Sequence, residues 1–149
     1  MHSSFKIIKG EKHHLISVLS LINELAVFEK EPDAVTNTLP NLIKNWEDSN
    51  FDFVVVTDEK NIIGFALFYF RYSTWKGLCL YLEDFYIQPS YRSRGIGNDV
   101  FDRVVAIGKE KGCVLLNWQV LDWNKEAIKF YKRKKADISE IWYNGTLKL

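Results

Sequence analysis

Hydrophobic and polar positions alternate with different periods along the chain and predict distinct elements. A β-branched segment, Phe5–Lys9, predicts a first strand. Residues 11–29 place apolar side chains three and four positions apart, which predicts a helix that Pro32 ends. A second, short helix is predicted over Leu39–Glu47, with Thr38 as its N-cap and a proline in its first turn.

The middle of the chain predicts three strands in succession. Residues 51–57 are β-branched and aromatic, and residues 58–61 form a polar turn before a second strand over residues 62–72. A third strand is predicted over residues 78–88, where Pro89 stops it. Strands that follow one another through short turns form an antiparallel meander.

The last third of the chain predicts a helix, a strand, a helix and two weak strands, over residues 95–111, 114–121, 124–134, 137–142 and 146–149. The order is therefore β-α-α-β-β-β-α-β-α-β-β. This order predicts a mixed α/β fold with a meander followed by a right-handed β-α-β crossover. We expect a single domain over residues 1–149, since no linker or repeat interrupts the pattern.

Composition excludes several classes of protein. The 149 residues include 20 basic and 19 acidic side chains, so a nucleic-acid partner bound through bulk charge is not expected. No apolar stretch approaches the ~20 residues of a membrane span, and the N-terminus has no leader pattern, so no membrane partner is expected. Cys79 and Cys113 indicate a reduced, cytoplasmic protein. His2, His13 and His14 lack metal-ligand spacing, so no metal is expected.

The most informative motif follows the third strand of the meander. Residues 92–97 read Arg-x-x-Gly-x-Gly and lead directly into a long helix. Glycines allow close backbone approach, and the N–H groups and dipole of a helix N-terminus attract a pyrophosphate. The motif is neither a P-loop nor a complete dinucleotide fingerprint, because Val100 stands where the third glycine would be. The alternative is an ordinary glycine turn before a helix.

Six segments in order resemble the Gcn5-related N-acetyltransferases (GNAT). Within that family they resemble the diamine acetyltransferases, meaning the spermidine/spermine branch and its thialysine-acetylating relatives, with the thialysine side closer. The segments are residues 64–70, 75–77, 81–86, 95–97, 122–124 and 130–132.

The resemblance implies the GNAT fold, a mixed sheet flanked by helices in which two neighbouring strands splay apart. Acetyl-CoA would lie in the gap and leave as CoA. The residues implied to bind it are Phe85, Tyr86, Ile87, Arg92, Ser93, Arg94, Gly95, Ile96, Gly97, Asn98, Asn124, Lys125, Glu126 and Ala127.

The implied catalytic residues are Glu83 as the base and Tyr131 as the acid that protonates the leaving thiolate. Glu83 and Asp84 are adjacent, so a regular strand would point them to opposite faces. We therefore predict a β-bulge that turns both toward the cleft and begins the splay. The alternatives are two solvated edge carboxylates, and a core aromatic at Tyr131.

The resemblance also implies a small cationic amine as substrate, held by Phe28, Glu29, Trp75, Glu83, Asp84, Asn117, Trp118, Gln119 and Glu140. The alternative for Glu29 and Glu140 is that they are plain surface carboxylates. Two positions depart from the family pattern. Ser73 replaces a frequent aspartate, which disfavours long polyamines. Lys135 replaces a helix-ending glycine, so the preceding helix is expected to end differently.

These observations predict an acetyl-CoA-dependent N-acetyltransferase that acts on a diamine, a polyamine or a lysine-like amino acid. The amine would attack directly in a ternary complex, and the family suggests a homodimer. The alternatives are a protein or peptide N-acetyltransferase, favoured by a shallow groove, and a non-catalytic CoA-binding module.

Overall fold

The structure, a computed structural model, describes residues 4–149. Met1–Ser3 lie outside the described residues. They include His2 and the first positions of the N-terminal segment to which the expectation about a leader applies. The chain divides into two compact units, one ending at Gln119 and the other spanning Val120–Leu149. No helix within residues 4–149 is long and apolar enough to cross a membrane.

A five-stranded mixed sheet forms the first unit. The strands follow one another across the sheet in chain order, as β1 (Phe5–Lys9), β2 (Asp52–Asp58), β3 (Asn61–Ser73), β4 (Gly77–Ile87) and β5 (Leu115–Trp118). The first four strands pair antiparallel, and β5 pairs parallel to β4. The predicted meander and the parallel pairing after the crossover helix are confirmed.

Two helices connect the first two strands. A turn of 3₁₀ helix, Lys12–His14, leads into α1 (Leu15–Phe28), and α2 spans Leu39–Glu47. The Thr38 side chain accepts a hydrogen bond from the Asn41 backbone N–H at 3.3 Å. This bond satisfies one of the first-turn N–H groups, and the predicted bounds and cap of α2 are confirmed.

The sheet carries α1 on one face and α3 (Ile96–Glu110) on the other. The core on the α1 face joins Leu15, Val18 and Leu21 to Phe65 and Leu67 of β3. On the opposite face, the Phe85 and Phe101 rings lie 6.4 Å apart, so β4 packs against α3 there. Alternation along β4 therefore decides which side chains reach α1.

The second unit contains one helix, α4 (Lys125–Arg133). The expectation that Lys135 changes the end of this helix is wrong. Lys135 adopts the left-handed conformation, with φ 64°, and the Ala136 N–H donates to the Tyr131 carbonyl at 3.1 Å. This is the closing bond of a helix that ends in a Schellman motif.

The two predicted C-terminal strands do not form. Residues 134–149 contain no strand, and Tyr143 is fully exposed. A strand needs a hydrogen-bonding neighbour, and short β-branched runs do not supply one by themselves. The sheet pairs no segment with these residues, so local preference alone gave the wrong element there.

Candidate active site

A β-bulge lies in the middle of β4. Leu67 of β3 pairs with Asp84, and the next residue, Phe68, pairs with Leu82. Glu83 is therefore the additional residue that β3 does not match. The bulge predicted from the adjacent Glu83 and Asp84 is confirmed.

The bulge turns both carboxylates toward the α1 face of the sheet. Asp84 pairs with Leu67, and Tyr81 pairs with Tyr69, two residues further along the same face of β3. Cross-strand partners share a face, so Asp84 and Tyr81 both lie on the side that α1 covers. Glu83 lies there as well, because it contacts the Tyr69 hydroxyl.

Glu83 is exposed and held by a tyrosine that the sequence did not single out. The Tyr69 hydroxyl donates to Glu83 Oε2 at 3.2 Å, and the Tyr69 and Tyr81 rings lie 5.3 Å apart. Burial, together with the Glu83 charge and the hydrogen bond to Glu83, raises the pKa of Tyr69 to about 12. Tyr69 therefore stays protonated at neutral pH and acts as a hydrogen-bond donor to Glu83.

Three carboxylates converge near the bulge. Burial, together with the smaller effect of the negative charges of Glu83 and Glu29, raises the pKa of Asp84 to about 7. Burial also raises the pKa of Glu29, at the C-terminal end of α1. Like charges this close disfavour full ionisation, and a bound cation would relieve that repulsion. The structure thus places Glu29, Glu83 and Asp84 close to one another.

The parallel pairing of β4 and β5 ends where the bulge begins. The last pair is Leu82 with Trp118, yet β4 continues to Ile87. Beyond Leu82 the backbone of β4 has a strand partner only on its β3 side among residues 4–149. Phe85, Tyr86 and Ile87, predicted to bind pantetheine, lie along this open edge.

Gly64 brings β3 close to the open part of β4. A Cβ at this position would lie 2.8 Å from the carbonyl oxygen of Tyr86 and 2.5 Å from Ile87 Cδ1. The Tyr86 oxygen belongs to the backbone and cannot move aside as the end of the Ile87 side chain can, so this contact favours glycine where β3 supports the segment with the open edge.

A turn with two left-handed residues leads from β4 into α3. Ser93 has φ 62° and Gly95 has φ 80°, and Gly95 occupies the N-cap of the helix. No side chain caps this N-terminus. The first-turn N–H groups have no acceptor within a helix, and the helix dipole adds positive potential. The loop thus has the backbone form that a diphosphate requires.

Arg92 and Arg94, before and within this turn, both donate hydrogen bonds to nearby backbone carbonyls. Arg92 donates from Nε to the Ile87 carbonyl at 2.8 Å, and its guanidinium lies over the rings of Phe28 and Tyr86, at 5.5 and 5.4 Å. Arg94 donates from Nη2 to the Ser90 carbonyl at 3.4 Å. Arg92 therefore connects the turn between β4 and α3 to Phe28, a residue predicted to line the substrate site.

A second group of side chains that the sequence did not reveal connects α1 to the end of β4. Glu24 accepts hydrogen bonds from the Tyr86 hydroxyl at 3.2 Å and from Gln88 Nε2 at 3.1 Å. Glu24 lies one turn before Phe28 on α1, so both side chains face the same part of β4. The i,i+4 spacing of Glu24 and Phe28 is the sequence feature that could have indicated this group of side chains.

In the second unit, Asn124 caps α4. Its Oδ1 accepts from the Ala127 N–H at 3.2 Å, and Lys125 Nζ donates to the Asp122 carbonyl at 3.1 Å. Tyr131 is buried, with its ring 5.4 Å from that of Phe130. Asn124 and Tyr131 are seven residues apart and so face the same way along the helix. Glu126 is exposed.

The five other predicted substrate residues lie at the end of β5, just beyond it, in a turn and in the C-terminal stretch. Asn117 and Trp118 are half-buried at the end of β5, and the Trp118 ring lies 5.7 Å from Phe101, edge to face. Trp75 is 86% exposed in the turn between β3 and β4, so no enclosed wall forms around its ring. Glu140 is exposed in the irregular C-terminal stretch, and Gln119 is exposed beyond β5.

The chain resembles known acetyltransferases in sequence and in structure. The sequence model of the acetyltransferase (GNAT) family matches residues 17–135. A thialysine N-epsilon-acetyltransferase from Caenorhabditis elegans is 38% identical over 128 residues, covering 86% of this chain and 80% of that protein. A human spermidine/spermine N(1)-acetyltransferase-like protein 1 is 33% identical over 151 residues, covering 93% of this chain and 22% of that protein.

Among solved structures, an aminoglycoside acetyltransferase from an uncultured soil metagenomic sample superposes with a TM-score of 0.82. It is 21% identical, and the match covers 97% of each chain, so this likeness concerns the fold. The chain belongs to the acetyltransferase (GNAT) family and is an N-acetyltransferase. The predicted GNAT fold and the predicted branch of the family are confirmed.

Proposed function

We propose that the protein transfers the acetyl group of acetyl-CoA to the primary amine of a small cationic substrate, by direct attack in a ternary complex. The observation that carries this proposal is the coincidence of the bulge with the end of β4–β5 pairing. Acidic side chains and an open backbone edge thereby become neighbours on one strand. Relatives named for thialysine and for spermidine/spermine support a small amine as the acceptor.

Acetyl-CoA fits the residues present, and it supplies the activated thioester. The open edge of β4 at Phe85, Tyr86 and Ile87 offers backbone groups to an extended chain such as pantetheine. The turn of residues 93–98, with its left-handed Ser93 and Gly95, offers N–H groups to the diphosphate. By resemblance to the family, residues 124–127 at the start of α4 are further candidates to bind the coenzyme.

The carboxylates receive and deprotonate the amine. An alkylamine has a pKa of about 10.4, so removing its proton at pH 7 costs ~4–5 kcal/mol. Glu83 takes this proton, directly or through water, while Glu29 and Asp84 hold the cationic group. With acetyl-CoA bound, the neutral nitrogen would form the N–C bond as the C–S bond breaks. Tyr131 would protonate the departing thiolate, and the second proton that the nitrogen loses on becoming an amide would restore Tyr131 through solvent, while Glu83 returns its own proton to solvent.

A thiol-release assay with acetyl-CoA tests this proposal. The acceptors are thialysine, lysine, ornithine, putrescine and spermidine, each at several concentrations. We expect thiol release to depend on the amine and to match the amount of acetylated product measured by mass spectrometry. Absence of amine-dependent release with all five acceptors would contradict the proposal.

We also propose that residues 1–149 act as one catalytic domain within a cytoplasmic homodimer. The family match spans parts of both compact units, which supports one domain. Exposed apolar side chains at Ile141, Trp142 and Tyr143 support a dimer, because such surface is usually covered by a partner. Light scattering tests the dimer, and cell fractionation tests the location.

A further inference from the structure

Arg71 places a positive charge on the same face of the sheet as the carboxylates. It lies on β3, two residues after Tyr69, and its guanidinium carbon is 5.3 Å from the centroid of the Tyr81 ring. The Tyr81 ring stacks beside Tyr69, whose hydroxyl binds Glu83. A pair of tyrosines therefore separates a guanidinium at one end from the acidic cluster at the other.

The guanidinium is accessible to a ligand. Arg71 is exposed, and across residues 4–149 no carboxylate forms an ion pair with it. Its charge nevertheless acts within the site, because it opposes the rise in the pKa of Tyr69 and Tyr81. Ser73, the next residue on this side of β3, is neutral. Arg71 thus supplies a positive charge at this end of the site.

We propose that Arg71 is a specificity-determining residue, which binds the carboxylate of an amino-acid acceptor and thereby favours it over a diamine. This inference rests on the proposed function and narrows its substrate class. The planar guanidinium forms paired, charge-assisted hydrogen bonds with a carboxylate. It repels the second ammonium group of a diamine, which would occupy the same place. On the protein, Arg71 lies at one end and the acidic cluster at the other. A basic amino acid has the complementary arrangement, with its carboxylate at one end and its side-chain ammonium at the other.

Lysine and lysinamide provide the test, because a neutral amide of similar size replaces the carboxylate in lysinamide. We expect kcat/KM for lysine to exceed that for lysinamide, and that for cadaverine, by about tenfold. In Arg71→Gln the preference should fall to about one, mainly through a higher KM for lysine. Arg71→Lys keeps the charge without the paired donors and should restore part of the preference.

Lys76→Gln is the matched control, because it removes one exposed positive charge from the same hairpin. It should leave the preference unchanged. A second measurement is independent of turnover: calorimetric binding of lysine to protein saturated with CoA, which should weaken about tenfold in Arg71→Gln. Equal use of lysine and lysinamide by the unaltered protein, or an unchanged ratio in Arg71→Gln, would overturn the inference. Failure to acetylate any amine would contradict the proposed function itself.

Discussion

The hydroxyl of Tyr69 donates a hydrogen bond to Glu83 across the bulge of β4, at 3.2 Å. This bond is possible because the extra residue in β4 brings Glu83 onto the face that Tyr69 already occupies. The most exposed member of the acidic cluster is thereby tied to the neighbouring strand. The position of the proposed base therefore depends on Tyr69, a residue of the 64–70 segment that was not among the predicted site residues.

Tyr69→Phe removes this donor and keeps the ring that stacks on Tyr81. We expect kcat/KM for the amine to fall by about three- to tenfold, since Glu83 then samples more rotamers. The free energy of unfolding should change by no more than about 1 kcal/mol, because the bond is partly exposed. Steady-state kinetics and denaturant unfolding measure the two effects. Tyr72→Phe, on an exposed neighbouring ring, is the control and should change neither.

Asp84 makes stability depend on pH. The folded protein retains the Asp84 proton up to a pH of about 7, because burial and the charges of Glu83 and Glu29 raise its pKa from the usual 3.8. The unfolded chain releases that proton near pH 3.8, so Asp84 makes the free energy of unfolding fall as pH rises between about 4 and 7.

Asp84→Asn should remove this contribution. We expect its Tm to exceed that of the unaltered protein by a few degrees at pH 8, with little difference at pH 4. Thermal unfolding across this range measures the effect, and Asp33→Asn, on an exposed loop, is the control. A constant Tm difference between Asp84→Asn and the unaltered protein from pH 4 to 8 would show that the Asp84 carboxyl is not perturbed.

Glu24 connects α1 to the end of β4 through Tyr86 and Gln88. Glu24→Ala should lower the free energy of unfolding by about 2 kcal/mol, because two donors lose a charged acceptor. Glu24→Gln keeps an acceptor oxygen and should cost about half as much. Denaturant titration measures both, and Glu31→Ala, an exposed glutamate just beyond α1, should have almost no effect. Equal losses in Glu24→Ala and Glu31→Ala would contradict the assignment.

Lys135 ends α4 in a conformation that favours glycine. A side chain in the left-handed region costs about 1–2 kcal/mol, while the greater freedom of glycine in the unfolded chain offsets part of that gain. Lys135→Gly should therefore stabilise the protein by about 0.5–1 kcal/mol. Lys132→Gly, within the same helix, should destabilise it by about 1 kcal/mol. A loss of stability in Lys135→Gly would show that its side chain makes a compensating contact.

Local signals explain why part of the fold could be predicted. Thr38 and the following proline define the start of α2, and Pro89 ends β4. The adjacent charges of Glu83 and Asp84 within an apolar strand indicated the bulge. Each of these features depends on a few neighbouring residues, whose physical preferences agree with the final structure.

The remaining features depend on pairing between distant residues. Tyr69 meets Glu83, and Arg71 covers Tyr81, only because of the register of β3 and β4 around the bulge. The register cannot be read directly from the sequence, and a shift of one residue would turn every side chain of the strand to the opposite face of the sheet. The C-terminal strands were wrong for a related reason, since residues 137–149 find no strand to pair with in the sheet. At Lys135, the hydrogen bond from the Ala136 N–H to the Tyr131 carbonyl outweighs the local preference of a lysine for a negative φ.

A crystal structure of the protein with coenzyme A tests the central claim most directly. The account predicts the pantetheine arm against the backbone of Phe85–Ile87, with its diphosphate at residues 93–98 and its sulfur facing the bulge at Glu83. β4 and β5 should remain unpaired beyond Leu82 and Trp118. Coenzyme bound elsewhere, or the two strands paired along their full length in the complex, would contradict the account.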